Sequence, residues 1–285
     1  MAYRITKIIY SVKSGGEKHM KAGVSTACLY PELLENALSQ LAKTGIKNTE
    51  IFINTHSELQ TEFTDLLKNI LNNNNVSCSA VHPFTCPSEP MMFFSSYERR
   101  VDDIIDYYKY YFETMNKFGA KILVFHGNKR IHPAPEELYF ERFGRLAMTA
   151  EEFGVIAAQE NVERCQSNSL EFMKNMSLYL GKYANFVLDV KQAVRSHEDP
   201  FEIASQLGDK IVHVHMSDHN AERDCMLLSK GNFDIEGFLK ILSKKGFDGS
   251  VILELYRQNF NDISQLYESY RYLCDIINNI EKEAG

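Results

Sequence analysis

Short apolar segments recur along the chain, and most of them are separated by stretches with a helical spacing of apolar residues. Most segments are four to seven residues long and rich in Val, Ile and Phe. Such segments are typical of strands covered on both faces, as in a parallel sheet. The eight predicted strands are Gly23–Leu29, Thr49–Asn54, Ser77–His82, Lys121–His126, Val155–Glu160, Asn185–Val190, Lys210–Met216 and Ser250–Leu255.

Helical patterns lie between these strands, and several end at a glycine. The clearest predicted helices are Pro31–Lys43, Tyr97–Phe118, Glu136–Phe153 and Ile235–Lys245. The first has Pro31 in its first turn and Gly45 just beyond its end, which is the usual order of these two residue types around a helix. The regular order of helix, glycine and strand indicates alternating β and α units.

Eight such units in 285 residues predict an α/β protein with a (β/α)8 TIM barrel, which typically takes about 250 residues. An open doubly wound sheet is the alternative. It is disfavoured because no glycine-rich phosphate loop follows the first strand. We expect residues 20–285 to form one barrel domain.

Residues 1–19 form an N-terminal extension with no clear place in the barrel. The sequence Gly-Gly-Glu-Lys-His just before Met20 can be encoded by a purine-rich stretch that resembles a bacterial ribosome-binding site. Our hypothesis is that residues 1–19 come from an upstream reading-frame artefact. The alternative is a β-hairpin that closes the bottom of the barrel.

Composition narrows the class of protein. Hydrophobic residues make up 44% of the chain and charged residues 24%, so a large core is expected and disorder is not. The net charge of −7 argues against a nucleic-acid partner, because such domains usually have a basic face. Six cysteines without a CxxC pair favour reduced thiols in a cytoplasmic protein.

No apolar run approaches the ~18 residues of a membrane span, and no leader peptide is evident. Two long segments follow predicted strands, Pro83–Ser96 and Ser217–Asn232. Both belong to the catalytic face of a barrel, where long loops often cover the substrate. A hydrophobic cluster beneath the loop is the alternative for the three Phe residues of the first segment.

Acidic and imidazole residues stand at the ends of six predicted strands. They are His82, His126, Glu160, Asp189, His215 and Glu254. A closed barrel brings these strand ends together, and carboxylates brought together repel one another unless a cation neutralises them. The pattern therefore predicts a divalent metal site at this face. His213 lies two residues before His215, and we expect it to be a hydrogen-bonded core histidine.

The motifs after the last four strands resemble those of the xylose-isomerase-like superfamily. They are Glu160-Asn161, Leu188-Asp189, His213-Val214-His215-Met216-Ser217-Asp218 and Leu253-Glu254-Leu255. This superfamily includes sugar isomerases and epimerases and the endonuclease IV type of DNA repair enzyme. The resemblance covers nearly the whole chain from Met20, and it rests on the order of short motifs.

The resemblance implies that Glu160, Asp189, His215 and Glu254 bind one divalent metal ion. A site of three carboxylates and one imidazole favours Mn²⁺, Mg²⁺ or Co²⁺, with Zn²⁺ still open. In the epimerase branch the two glutamates also move protons on opposite faces of the substrate, so Glu160 and Glu254 are the expected catalytic residues.

The chain departs from both branches at several positions. Endonuclease IV has a histidine where this chain has Gln192, and its Asp-x-His motif falls near Asp224-Cys225-Met226. His82 and His126 match its early histidines but cannot hold three metals by themselves. Tagatose and psicose epimerases also have a histidine at the position of Gln192, and they have an arginine at the position of Ala221.

Other side chains must therefore hold the substrate. The candidates are His82, His126, Lys191, Gln192 and Arg257.

The favoured function is a metal-dependent isomerase or epimerase of a small sugar, sugar acid, cyclitol or sugar phosphate. A carboxylate would remove the proton beside a carbonyl to give an enediolate. An inosose-dehydratase-like lyase would share this first step. A phosphodiesterase of the endonuclease IV type is the rival of a different class, and a non-catalytic binding barrel is a third option. The oligomeric state is open, with a homo-oligomer among the options.

Overall fold

Eight parallel strands form a closed barrel in the computed structural model, which describes residues 19–284 of the chain. The strands are β1 Lys21–Ser25, β2 Asn48–Phe52, β3 Ser77–His82, β4 Ile122–Phe125, β5 Ile156–Glu160, β6 Phe186–Asp189, β7 Ile211–Met216 and β8 Ser250–Leu253. Each strand pairs with the next, and β1 closes the ring on β8. The TIM barrel predicted from the sequence is confirmed. The proposed extension lies outside the described residues, except for His19.

The helices alternate with the strands and cover the outside of the barrel. They are α1 Leu34–Thr44, α2 Thr61–Asn73, α3 Glu89–Met92, α4 Glu98–Phe118, α5 Glu136–Glu152, α6 Leu170–Leu180, α7 Val190–Arg195, α8 Pro200–Leu207, α9 Ile235–Lys244 and α10 Ile263–Ala284. Gly45 and Gly119 follow α1 and α4 with φ of 98° and 80°. This left-handed conformation favours glycine and ends both helices as predicted. In the described residues, no helix is long and apolar enough to cross a membrane.

Two boundaries near the start of the barrel differ from the prediction. The first strand ends at Ser25 rather than at Leu29, because the Ser25 side chain accepts a hydrogen bond from Ala27 N and starts a 3-10 turn. Pro31 lies three residues before α1 and not in its first turn, since the backbone of Leu33, with ψ of 139°, is not yet helical. These corrections leave the positions of the later strand ends unchanged.

The interior of the barrel is a small apolar cluster that is separate from the larger core between the strands and the helices. Its buried members are Ala80, Ile122, Val124, Ala158 and Val187. Side chains alternate between the two faces of a strand, so residues two positions further along also point into the barrel. This spacing applies to His82, His126, Glu160 and Asp189. These residues therefore form the next layer of side chains, between the apolar interior and the mouth at the carboxyl ends of the strands.

Candidate metal centre at the carboxyl ends of the strands

Four side chains from the last four strands meet at the mouth of the barrel. The residues are Glu160, Asp189, His215 and Glu254, and their potential ligand atoms all lie within 4.8 Å of one another. His215 Nδ1 lies 2.9 Å from Glu160 Oε1, 3.5 Å from Glu254 Oε2 and 3.9 Å from Asp189 Oδ2. The structure thus brings together all four residues that the resemblance suggests as metal ligands.

The cluster brings three buried or nearly buried carboxylates together around one ammonium group. Lys191 is the nearest ammonium group, with Nζ 3.0 Å from Glu254 Oε2 and 3.2 Å from Asp189 Oδ2. The side chains of Asp189 and Glu160 are only 2% exposed. Burial raises the pKa of Asp189 to about 6, with Lys191 opposing the rise and Glu160 adding to it. Burial therefore disfavours the ionised form of Asp189 even with Lys191 beside it.

Two carboxylate oxygens test whether the site suits a metal ion. Glu160 Oε2 and Asp189 Oδ2 are buried and make no hydrogen bond of normal geometry. They do have cationic neighbours, since His126 Nε2 lies 2.8 Å from the first and Lys191 Nζ 3.2 Å from the second. Buried oxygen atoms without a directed donor are typical of metal ligands. The donor set of three carboxylates and one imidazole fits a hard divalent cation.

His126 and His82 lie on the side of the cluster formed by β3 and β4. Their Nε2 atoms are 2.9 Å apart, and the rings meet nearly edge to face. Burial and the neighbouring His126 lower the pKa of His82 to about 4. Burial also disfavours the charged form of His126, but Cys86 and Glu160 outweigh it and hold its pKa well above the usual value. The charged form is thus favoured for His126, which lies beside Glu160, and the neutral form for His82.

The side chains of the other two substrate-binding candidates, Gln192 and Arg257, bond to groups other than the four cluster residues. The side-chain oxygen of Gln192 accepts a hydrogen bond from Glu163 N at 3.0 Å, and its own backbone N–H donates to Asp189 Oδ1. Arg257 is exposed, and its guanidinium donates to the carbonyl of Phe260 and packs on that ring. Gln192 therefore supports Asp189 and the loop after β5. Within residues 19–284, Arg257 forms no hydrogen bond or ion pair with the candidate metal ligands.

Glu50 is a functional candidate that sequence reasoning missed. It lies inside β2, is fully buried, and accepts hydrogen bonds from the Nε2 atoms of His213 and His215, both at 3.0 Å. The available signal was the charged residue within the otherwise buried segment Thr49-Glu50-Ile51. His213 is the hydrogen-bonded core histidine that the sequence predicts.

The two long segments after β3 and β7 are both packed against the barrel. Phe93 is fully buried, and Phe84 and Phe94 pack on the same core. The three Phe residues thus form a hydrophobic cluster under the first segment, which was one of the two alternatives. Asp218 anchors the second segment by accepting hydrogen bonds from the backbone N–H groups of Gly231 and Phe233.

An open cavity of about 660 Å³ lies among the residues that follow β7 and β8. Tyr256 is part of its lining, and the ring of Tyr256 lies 5.0 Å from Lys191 Nζ. Arg195 forms another wall, held by Asp224 through two hydrogen bonds and donating a third to the Tyr256 hydroxyl. The four cluster residues do not line this cavity, and the Tyr256 ring lies between it and Lys191.

Sequence comparison assigns the family. The model of the xylose isomerase-like TIM barrel family matches residues 38–276, and the chain therefore belongs to this family. No protein with a curated description matches the sequence.

Several solved structures share the fold at low sequence identity. A D-tagatose 3-epimerase-like protein is 18% identical with a TM-score of 0.77, over 93% of this chain and 100% of its own. A D-allulose 3-epimerase from Methylomonas sp. is 15% identical with a TM-score of 0.75, over 91% of this chain and 98% of its own. A 3-keto-D-glucoside 4-epimerase from E. coli is 15% identical with a TM-score of 0.71, over 90% and 99% of the two chains.

Proposed function

We propose that this protein is a cytoplasmic, divalent-metal-dependent isomerase or epimerase of a small carbohydrate. The observation that carries the proposal is the meeting of three buried carboxylates and one imidazole around His215 Nδ1. Membership of the xylose isomerase-like family and the epimerase names of structural neighbours support the sugar substrate. Glu160, Asp189, His215 and Glu254 would hold the ion, with Mn²⁺, Mg²⁺ or Co²⁺ favoured over Zn²⁺.

When bound, a divalent cation polarises a carbonyl oxygen and so acidifies the neighbouring C–H bond. The chain's own residues then move the proton. Burial raises the pKa of Glu254, but Lys191 and His215 outweigh it and keep the pKa below the usual value. Glu254 is therefore an ionised base at neutral pH, and at 15% side-chain exposure it is more accessible than Asp189 or Glu160.

Glu160 is the second proton-transfer group in this proposal. Its strand, β5, is three strands away from β8 in one direction and five in the other, so the two glutamates reach a substrate from different sides. His126, next to Glu160 and held in its charged form, supplies a proton to a substrate oxygen. Lys191 donates to a substrate hydroxyl from the opposite side of the cluster.

Metal binding is the first expected result. We expect about one divalent ion per chain, from the four-ligand set, and release of a proton from His215 on binding. Burial disfavours the charged form of His215, but Glu50 and Glu254 outweigh it and hold its pKa well above the usual value. The apparent affinity should consequently fall as the pH is lowered. Calorimetry in two buffers of different ionisation enthalpy measures the number of protons released per bound ion. Elemental analysis measures the number of metal ions per chain.

The matched variants for this experiment are Glu160→Gln and Asp189→Asn, which keep the size of each side chain. Either should weaken metal binding markedly. Full metal occupancy in both variants would show that the ion binds elsewhere.

Exchange with solvent tests the reaction type. Incubation in D₂O with Mn²⁺ and a panel of ketoses, keto-glucosides, sugar acids and inosose should yield a product carrying deuterium on the carbon next to the carbonyl, because a carboxylate base exchanges its proton with water. Mass spectrometry and NMR read the label. Heat-inactivated protein is the control. A product lighter than the substrate by one water molecule would indicate the lyase reaction instead. Hydrolysis of a phosphodiester would contradict the proposal.

A further inference from the structure

Glu50 is a fully buried carboxylate whose partners are two histidines and a serine. One oxygen, Oε2, lies 3.0 Å from His213 Nε2 and 3.0 Å from His215 Nε2. The other, Oε1, accepts a hydrogen bond of 3.0 Å from the Ser25 hydroxyl. No lysine or arginine forms an ion pair with it in the described part of the chain. These contacts place Glu50 directly beneath the candidate metal centre.

The two nitrogens of His215 face different groups. Nδ1 points at the carboxylates of Glu160 and Glu254, whereas Nε2 points at Glu50. A neutral imidazole carries one N–H and one lone pair, and an ionised carboxylate can only accept a hydrogen bond. A metal ion among the other carboxylates would take the lone pair of Nδ1, and the remaining N–H would then be at Nε2, where Glu50 accepts it.

We propose that Glu50 is a positioning residue that fixes the tautomer and ring orientation of His215 so that Nδ1 is presented to the metal. This inference rests on the proposed function, because it assumes that the cluster binds a divalent ion. An anionic acceptor behind a metal-bound histidine also makes the imidazole a stronger ligand. Ser25 and His213 hold the Glu50 carboxylate in place, and all four side chains are buried.

The same contacts allow a purely structural role, in which Glu50 stabilises the fold by pairing with the two histidines. The two roles differ in what the removal of the charge changes. A structural role predicts a lower melting temperature with unchanged metal affinity. A positioning role predicts weaker metal binding even in folded protein.

The test is Glu50→Gln, which keeps an oxygen acceptor for the histidines but removes the negative charge. Its Co²⁺ affinity, measured by titration of the visible absorption, should be lower than that of the wild type by roughly 10–100-fold. Glu58→Gln is the control, since Glu58 is a buried glutamate close to the same strand that bonds the backbone N–H of Asn54 and contacts none of the proposed ligands. Its affinity should be unchanged.

A second measurement does not depend on the variant folding. In Zn²⁺-loaded wild-type protein with ¹⁵N-labelled histidine, NMR should show the His215 proton on Nε2 and the metal on Nδ1. A proton on Nδ1, or an unchanged Co²⁺ affinity in folded Glu50→Gln, would overturn this inference and leave the metal-dependent function intact. Wild-type protein that binds no divalent ion at all would overturn the proposed function, and the inference with it.

Discussion

Glu254→Gln is expected to lower the turnover of an accepted sugar roughly 10²-fold or more, the usual scale for removal of a general base, with the divalent ion still bound. The amide keeps the size of the side chain and an oxygen that can coordinate, but it cannot take a proton. Glu254 is the most accessible of the three carboxylates, and Lys191 keeps it ionised. Steady-state kinetics on the substrate found in the deuterium screen, together with elemental analysis, measures both quantities.

The competing role for Glu254 is to pair with Lys191, whose Nζ lies 3.0 Å away. In that case the variant should lose stability and keep most of its activity. Glu222→Gln is the matched control, because this exposed glutamate lines the neighbouring cavity and forms no ion pair within residues 19–284. Near-wild-type turnover in metal-loaded Glu254→Gln would remove this residue from the mechanism.

Lys191→Met is expected to lower the free energy of unfolding of the metal-free protein by about 3–5 kcal/mol, the usual cost of removing one partner from a buried ion pair. The Lys191 side chain is 4% exposed, and its ammonium lies within 3.2 Å of carboxylate oxygens of both Asp189 and Glu254. Without it the carboxylates have no close ammonium to offset their charge. Urea denaturation of the metal-free protein measures the loss.

A divalent ion should restore most of that stability. The melting temperature of Lys191→Met should therefore rise more on adding Mn²⁺ than that of the wild type, and its metal affinity should be higher because one competing positive charge is gone. Lys230→Met is the control, since Lys230 is exposed at the edge of the same cavity. If metal-free Lys191→Met is as stable as the wild type, Lys191 does not compensate the charge of the cluster.

Local patterns in the sequence were sufficient to predict the architecture. The apolar segment Ser77–His82 is β3 residue for residue, and the helix predicted to end before Gly119 does so. Both follow from neighbouring residues, through side-chain alternation and the backbone freedom of glycine. The same local patterns predicted the ends of the strands closely enough to place Asp189 and His215 at the mouth of the barrel.

The contacts across the mouth of the barrel were decided by the tertiary structure. Glu50 and His215 are 165 positions apart, and whether they touch depends on the tilt and relative register of β2 and β7, which do not pair with each other. Lys191 follows Asp189 by two residues, yet only the closed ring shows that its ammonium also reaches Glu254.

The sequence by itself determined the (β/α)8 order and the chemical type of residue at each strand end, because those depend on periodicity and spacing within short segments. Which of these residues meet was determined by the fold alone. The same holds for the contact of Glu50 with His215 and for the hydrogen bond from Arg257 to the carbonyl of Phe260. The reason is geometric: closing eight strands into a ring sets distances between residues that are far apart in the chain, and no local pattern encodes those distances.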